Sequence, residues 1–192
     1  MMKRTGTLGV LFCILLLPLA VRAESNSSHL NRERLDVGRA LIEVTYDNLA
    51  SILPYYSDDI EYHDPIVDIY GIGDMTDFLF RLFGSTPDLV TLVEDEIAIS
   101  DLYTATWTMQ GIFIADPTDP DNSGVPYEAK GMSVIKFRPK STEVYYQRDY
   151  YSEGDIMSAI PGLDEAMLGF RTFYRCAVDP SFACPFPAPV AN

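Results

Sequence analysis

Residues 57–65 read Ser-Asp-Asp-Ile-Glu-Tyr-His-Asp-Pro and mark the point where a helical pattern gives way to strands. The segment follows an apolar helical pattern that ends at Pro54, and it alternates like a short strand until Pro65. Proline has no N–H group and holds the preceding residue extended, so Asp64 is predicted where a strand leaves its sheet. Such strand ends often carry catalytic groups, which makes Asp64 and His63 candidates. The alternative is an Asp-Pro turn beside a packed histidine.

Helical patterns lie on both sides of this segment. Apolar residues recur at helical spacing over residues 35–53, which predicts a long amphipathic helix with a break near residues 47–48. A glycine turn at 71–74 is followed by an apolar stripe over 75–83, which predicts a second helix. A further helix is predicted from about Asp164, covering the open end of a sheet.

A period of two replaces the helical period from residue 89 onward. It predicts four strands, at roughly 89–99, 102–115, 127–138 and 142–152. Helices first and strands later predict an α+β fold. In the second strand the face expected to be buried holds Tyr103, Ala105, Trp107, Met109 and Phe113. The acidic loop 116–124 between the next strands lacks the spacing of a calcium loop, so we interpret it as a solvated hairpin loop.

The last predicted strand contains adjacent residues of opposite charge. Asp149 shares a face with Tyr145, Gln147 and Tyr151, whereas Arg148 lies on the other face. One face must meet the core, so either Asp149 or Arg148 points inward. An inward aspartate among aromatic rings would be desolvated and its pKa raised, which would make it a useful base or acid near neutral pH.

The first 23 residues have the pattern of a secretory signal peptide. A basic start is followed by an apolar run over residues 8–21 and by a small-residue ending at Ala23. The alternative, a retained membrane anchor, is disfavoured by the length of the run. We therefore expect export to the periplasm or outside the cell, with a polar, disordered lead-in at 24–32. The remaining length and its 47% hydrophobic content suit a single domain.

Loss of the leader removes three of 14 basic residues and no acidic ones, so the mature net charge is 11 − 28 = −17. This charge disfavours binding to nucleic acids and stable association with anionic membranes. The leader also contains Cys13, and the remaining Cys176 and Cys184 predict one local disulfide in an exported protein. The two histidines and the cysteines lack ligand spacing, so no metal is expected. Asn26 begins a glycosylation sequon, which matters only in a eukaryotic source.

Three motifs in this order resemble the nuclear transport factor 2-like (NTF2-like) superfamily, and within it the SnoaL-like polyketide cyclases and ketosteroid isomerases. Residues 58–65 are similar to the segment that bears the isomerase's general base, and residues 71–78 to the glycine turn and helix start that follow it. Residues 131–137 and 148–151 are similar to the final hairpin of SnoaL-like domains, where an aspartate is often the acid or base. The resemblance implies a domain over 33–177. A proline-rich tail follows at 178–192.

The resemblance implies a curved antiparallel sheet that N-terminal helices wrap into a cone around an apolar pocket. It implies Asp64, Asp149 and His63 as catalytic residues. The position of the isomerase's oxyanion tyrosine falls on Ala40, and that of its second acid falls near Ser133, which argues against steroid isomerisation. The residues expected to contact the substrate are Trp107, Tyr62, Tyr103 and Met109.

The leading hypothesis is therefore a small enzyme without a cofactor, of the cyclase, isomerase or dehydratase type. It would act on an apolar carbonyl or polyketide-like small molecule by general acid–base catalysis through an aspartate. Epoxide hydrolysis is disfavoured because Arg148 alternates away from Asp149. The alternatives are a secreted binding module that holds a small apolar molecule without chemistry, and an interaction domain that forms homodimers through its sheet.

Overall fold

The computed structural model describes residues 17–86, 88–113, 124–158, 160, 162–178, 181, 183 and 185. Cys184 and most of the acidic loop lie outside the described residues, so the Cys176–Cys184 disulfide stays a prediction. The helices are α1 Leu17–Ile42, α2 Leu49–Ile52, α3 Ile72–Ser85, α4 Glu153–Met157 and α5 Asp164–Val178. The strands are β1 Tyr56–His63, β2 Asp68–Tyr70, β3 Val90–Ile99, β4 Leu102–Phe113, β5 Val125–Phe137 and β6 Val144–Tyr151.

Helix α1 is longer at its start and shorter at its end than predicted. It runs through residues 24–32, so the prediction of a disordered lead-in there is wrong. No glycine or proline interrupts residues 19–37, and nothing in the local sequence therefore stops the helix. The helix ends at Ile42, before the predicted break. A 3-10 turn at Tyr46–Asn48 follows, in which the Thr45 N–H donates to the Asn48 side-chain oxygen at 2.8 Å.

The strands form one six-stranded sheet in the order β2-β1-β6-β5-β4-β3. Every neighbouring pair is antiparallel except β1 and β6, which are parallel. The predicted α+β class and the four long strands are confirmed. The sequence patterns missed β2 and α4, which have three and five residues, because so short an element shows no clear period.

Helices α1 and α3 pack on the concave face of the sheet and form the core with it. Tyr103, Phe83, Phe137, Ile60 and Met75 are all completely or almost completely buried. Close packing of α1 on β4 depends on Gly38, since a Cβ atom there would lie 2.5 Å from the Tyr103 ring.

Arg34 of α1 fixes one end of the sheet. Its side chain is 3% exposed and donates to the carbonyl oxygens of Ser141 and Arg138, each at 2.8 Å, and to that of Ser100. The guanidinium also lies 5.3 Å from the centroid of the Phe137 ring. A buried charge needs such bonds, and here they join α1 to the β3–β4 and β5–β6 turns.

Candidate active site

A cavity of about 250 Å³ lies between the concave face of the sheet and helices α1 and α3. Most of its lining side chains are apolar, such as Leu79, Phe83 and Met109. Two carboxylates, Asp149 and Asp64, also line it. Among the lining side chains that the structure describes there is no lysine, arginine or histidine, so no protein cation neutralises this pair.

Asp149 on β6 is held by three side-chain donors. Its Oδ1 accepts from the Ser133 hydroxyl at 2.6 Å and from Gln147 Nε2 at 3.2 Å, and its Oδ2 accepts from the Tyr62 hydroxyl at 3.0 Å. Gln147 is itself oriented by the Tyr56 hydroxyl, which donates to its Oε1 at 2.9 Å. The carboxylate is therefore fixed in one position at the base of the cavity.

Burial raises the pKa of Asp149 from its ordinary value to about 6, because the charged form loses water. Hydrogen bonds from Ser133, Gln147 and Tyr62 lower the pKa and offset part of this effect. The neighbouring charge of Asp64 raises the pKa further. A carboxyl group with this pKa changes its protonation state close to neutral pH, as a general acid or base must.

Asp64 is held differently, in the turn after β1. Its Oδ1 accepts from the backbone N–H groups of Ile66 and Val67, both at 2.7 Å, as in an Asx turn. Its Oδ2 faces the hydroxyls of Tyr151 at 3.2 Å and Tyr62 at 3.3 Å. All four neighbours are donors, which suits a group that acts only as an acceptor.

The Tyr62 hydroxyl lies between the two carboxylates and has one proton for both. It can donate to Asp149 or to Asp64 but not to both at once, since a hydroxyl is a single donor. Burial and the two negative charges raise the pKa of Tyr62, so this proton stays on the phenol. If Asp149 carried a proton, it would donate to the Tyr62 oxygen and leave the Tyr62 hydroxyl to donate to Asp64. Both contacts of Tyr62 would then be hydrogen bonds.

Trp107 forms part of the floor of the cavity and connects to the same network. Its ring lies over Gly131 of the neighbouring strand, where a Cβ atom would come within 2.4 Å of the indole. The indole Nε1 donates to the Ser133 hydroxyl at 2.8 Å, and this hydroxyl donates to Asp149. Trp107 thereby orients one of the donors to the carboxylate.

Five of the seven predicted site residues line this cavity, but His63 and Tyr103 do not. The ring of His63 is on the opposite face of the sheet, where its Nδ1 contacts Asp68 at 2.5 Å between Tyr70 and Tyr146. Strand alternation separates it from Tyr62, so its predicted place in the pocket is wrong. Tyr103 is fully buried beneath α1, and its hydroxyl donates to Glu96 at 3.0 Å. The residues brought together are Asp64, Asp149, Tyr62, Trp107 and Met109.

Four polar residues of the hydrogen-bond network around the two carboxylates were not named as site residues from the sequence: Ser133, Gln147, Tyr56 and Tyr151. Two of them could have been predicted from the sequence, because strand alternation places Gln147 and Tyr151 on the same face as Asp149. Ser133 required the pairing of β5 with β6, which sets it directly opposite Asp149. Tyr56 required the parallel pairing of β1 with β6, which no local pattern indicates.

Two further properties of the described residues concern metal ions and membranes. Among the described residues, no three His, Cys, Asp or Glu side chains lie close enough together to hold a metal ion. None of the helices in the described part of the chain is both long and apolar enough to cross a membrane.

Solved structures with the same fold are distant in sequence. A protein from Jannaschia, assigned as a SnoaL-like polyketide cyclase, superposes with a TM-score of 0.58 at 15% identity, over 68% of this chain and 93% of that one. A protein with a ketosteroid isomerase-like fold from Catenulispora acidiphila, in complex with trimethylamine, gives 0.53 at 16%, over 66% and 91%. An NTF2-like protein of unknown function from Burkholderia pseudomallei gives 0.53 at 12%, over 71% and 98%. These similarities show the predicted NTF2-like fold.

Sequence comparison identifies the family. No curated protein matches the chain significantly. The profile of the SnoaL-like domain family, in contrast, matches residues 39–141, which is more than half of the chain and includes Asp64, Trp107 and Ser133. The chain therefore belongs to the SnoaL-like domain family.

Proposed function

We propose that this protein is a small enzyme without a cofactor, of the cyclase, isomerase or dehydratase type, with Asp149 as its general base and acid. The observation that carries the proposal is the position of Asp149, a fixed carboxylate in an apolar cavity without a neighbouring cation. Its substrate is an uncharged apolar carbonyl compound or a polyketide-like molecule. The SnoaL-like family membership supports this class of reaction but names no substrate.

The reaction begins when ionised Asp149 takes a proton from a carbon next to a carbonyl group. The electron pair of the broken C–H bond delocalises into that carbonyl, and Asp149 becomes a neutral carboxylic acid. The same proton then returns to the substrate. Its return to another carbon completes an isomerisation, its return to the oxygen formed by ring closure completes a cyclisation, and its transfer to a leaving hydroxyl releases water.

Tyr62 and Asp64 stabilise the protonated form of Asp149 in this scheme. Once Asp149 carries a proton on Oδ2, it donates to the Tyr62 oxygen, and the Tyr62 hydroxyl turns to donate to Asp64. Asp64 thus acts through Tyr62 and is a positioning residue. The backbone donors that hold Asp64 keep it in place during the exchange.

The alternative is a binding module that holds a small apolar molecule without reacting with it. The network around Asp149 favours the enzyme. Burying a carboxylate without a cation costs free energy, and a site that only holds an apolar ligand has no use for one. A carboxyl group whose pKa is raised by burial in a cavity is typical of a functional site.

A substrate-independent probe tests the proposed base. The compound 5-nitrobenzisoxazole is small, flat and uncharged, and removal of the C–H proton of its isoxazole ring breaks the N–O bond and gives a coloured cyanophenolate. We expect ring opening in the cavity to follow the ionised fraction of Asp149, with a midpoint near pH 6. Asp149→Asn is expected to lower the rate at least about a hundredfold, the usual scale for loss of a general base.

The controls for this test are His63→Gln and Asp64→Asn. His63 lies on the other face of the sheet, so its variant is expected to react like the wild type. Asp64→Asn is expected to change the midpoint more than the limiting rate. If Asp149→Asn reacts as fast as the wild type, Asp149 is not the base. If the wild type binds the probe without opening it, the binding module is the better account.

We also propose that the protein is exported with its signal peptide removed after Ala23. The pattern of the first 23 residues supports this proposal. N-terminal sequencing of protein recovered from the periplasm or medium is expected to begin at Glu24. Recovery of the intact leader in a membrane fraction would mean an anchored protein instead.

A further inference from the structure

The side-chain donors of the cavity fall into two groups. At the Asp149 end, every hydroxyl, amide and indole donor is already bonded: Tyr56, Tyr62, Tyr151, Ser133, Gln147 and Trp107 all donate within the network. The Thr86 hydroxyl, elsewhere in the cavity wall, donates to the Leu82 carbonyl oxygen at 2.6 Å. Apart from the second N–H of the Gln147 amide, none of these groups has a further proton to donate to a ligand.

Two lining hydroxyls have no hydrogen bond within the described part of the chain, namely Tyr127 and Thr91. Tyr127 is 9% exposed, and its hydroxyl lies across Gly111, where a Cβ atom would be 3.0 Å from the phenol oxygen. Burial raises the pKa of Tyr127, so the group remains a neutral donor. The Tyr127 side chain is nine-tenths buried, and its hydroxyl has no partner among the described residues, so an acceptor supplied by a ligand would add a hydrogen bond there.

Strand register places both residues toward the end of the sheet remote from Asp149, on the two strands that flank β4. Thr91 on β3 is paired with Met109 on β4, and Tyr127 on β5 is paired with Gly111, two residues along from Met109. Ser133, which holds Asp149, is six residues from Tyr127 on the same strand, a separation of about 20 Å between their Cα atoms at about 3.3 Å per residue. The cavity is therefore polar at two separate places, with an apolar wall between them.

We infer that Tyr127 and Thr91 form a second recognition point, the distal subsite, which donates hydrogen bonds to an uncharged oxygen at the end of the substrate remote from the reacting carbon. This inference rests on the proposed function for the position of the reacting carbon, but the distal subsite itself does not depend on any reaction. The ligand class is an elongated apolar molecule with a carbonyl, ether or ester oxygen at its far end. A carboxylate does not fit, because the described lining residues include no cation to pair with it and two carboxylates already repel it.

A matched pair of ligands tests the distal subsite by binding alone. The probes are 2-acetylnaphthalene and 2-ethylnaphthalene, which have nearly the same shape but only one of which has a carbonyl oxygen. Equilibrium dialysis at pH 8 keeps Asp149 ionised, so its carboxyl group offers the ketone no donor. We expect Tyr127→Phe to lower the affinity for the ketone roughly fivefold and to leave the affinity for the hydrocarbon unchanged.

The quantity compared between variants is the ratio of the affinity for the ketone to the affinity for the hydrocarbon. Thr91→Val is expected to lower the ketone-to-hydrocarbon ratio in the same direction as Tyr127→Phe. The matched control is Thr86→Val, which removes a lining hydroxyl already bonded to Leu82, and it is expected to leave the ratio at its wild-type value. An unchanged ratio in both Tyr127→Phe and Thr91→Val would overturn the distal subsite.

The outcome for the distal subsite can be distinguished from the outcome for the proposed reaction. If the ratio falls in Tyr127→Phe while Asp149→Asn retains full ring-opening activity, the distal subsite stands and the proposed base is wrong. If Asp149→Asn is inactive and the ratio is unchanged, only the distal subsite is wrong. Binding of neither naphthalene to the wild type would contradict the distal subsite and leave the ring-opening test of Asp149 to decide the proposed base.

Discussion

Residues that are neighbours in sequence have different surroundings on the two faces of the sheet. On the convex face, the charged side chains of β6 and β2 are solvated: Arg148 is exposed, and Asp68, whose side chain is 64% exposed, contacts His63. On the concave face, Asp149 and Tyr62 are adjacent in sequence to Arg148 and His63, yet the described residues that line the cavity with them include no cation. One step along β6 thus separates the exposed Arg148 from a carboxylate whose pKa is raised to about 6.

This contrast shows that surroundings, more than residue type, decide what a carboxylate can do. Asp68 keeps its water, so its charge needs no further support. Asp149 loses water and receives only neutral donors in exchange, which hold the anion in place but compensate its charge only in part. Substitutions on the two faces are therefore expected to differ in their effects on the free energy of unfolding and on activity.

The largest expected effect is a fall in stability with rising pH that depends on Asp149. Its pKa is about 6 in the fold against an ordinary value of 3.8, so the folded state binds the proton more tightly than the unfolded chain. The free energy of unfolding is therefore expected to fall by roughly 3 kcal/mol as the pH rises from about 4 to about 6. Urea unfolding of the wild type and of Asp149→Asn across this range measures the difference, and parallel curves for the two proteins would refute it.

A smaller effect is expected from Gly131→Ala under the Trp107 ring. The new Cβ atom would lie 2.4 Å from the indole and 2.6 Å from the Tyr150 carbonyl oxygen, and neither can move freely within the sheet. We expect a loss of about 2 kcal/mol in the free energy of unfolding, the usual scale for overpacking. The matched control is Gly84→Ala in α3, where a Cβ atom meets nothing within 4 Å and is expected to leave stability equal or slightly higher.

Tyr62→Phe is expected to shift the titration of Asp149 upward by about one pH unit. Tyr62 donates to the ionised form of Asp149, so loss of the hydroxyl disfavours that form and raises its pKa. The pH dependence of benzisoxazole opening reports the shift. A midpoint that stays constant or moves to lower pH would mean that Tyr62 does not stabilise the Asp149 anion.

The smallest effect is expected on the convex face. His63→Gln removes a contact with a largely exposed carboxylate, and such contacts contribute about 0–1 kcal/mol. We expect the free energy of unfolding to change by less than about 0.5 kcal/mol and ring opening to stay within about twofold of the wild type. A hundredfold loss of activity would show that His63 takes part in the reaction after all.

Strand alternation predicted much of this contrast, and its failures have local causes. It placed Asp149 and Arg148 on opposite faces of the last strand. Applied strictly to β1, it also separates His63 from Tyr62 and Asp64. It fails at Val144, which strict alternation puts on the face of Arg148 but which is fully buried. The register explains this: Tyr146 pairs with Lys136 and Val144 with Phe137, so Tyr145 is an additional residue that reverses the alternation.

The rest of the site depends on contacts between distant segments. Tyr103 has the spacing of a pocket residue on β4, but Gly38 lets α1 cover it. Ser133 became a donor to Asp149 only through the β5–β6 register, and Tyr56 became a partner of Gln147 only through the parallel β1–β6 pair. No local pattern in the sequence contains these pairings, so the carboxylates were predicted but most of the groups that hold them were not.

The central claim is that Asp149 is a desolvated carboxylate that titrates near neutral pH, and its carboxyl carbon can be followed directly. Carbon-13 NMR of protein labelled at aspartate carboxyls, with the Asp149 signal assigned by its absence in Asp149→Asn, gives the titration curve of this one group. We predict a midpoint near pH 6. A midpoint near the ordinary value of 3.8 would contradict the account, because Asp149 would then be as well solvated as a carboxylate on the convex face.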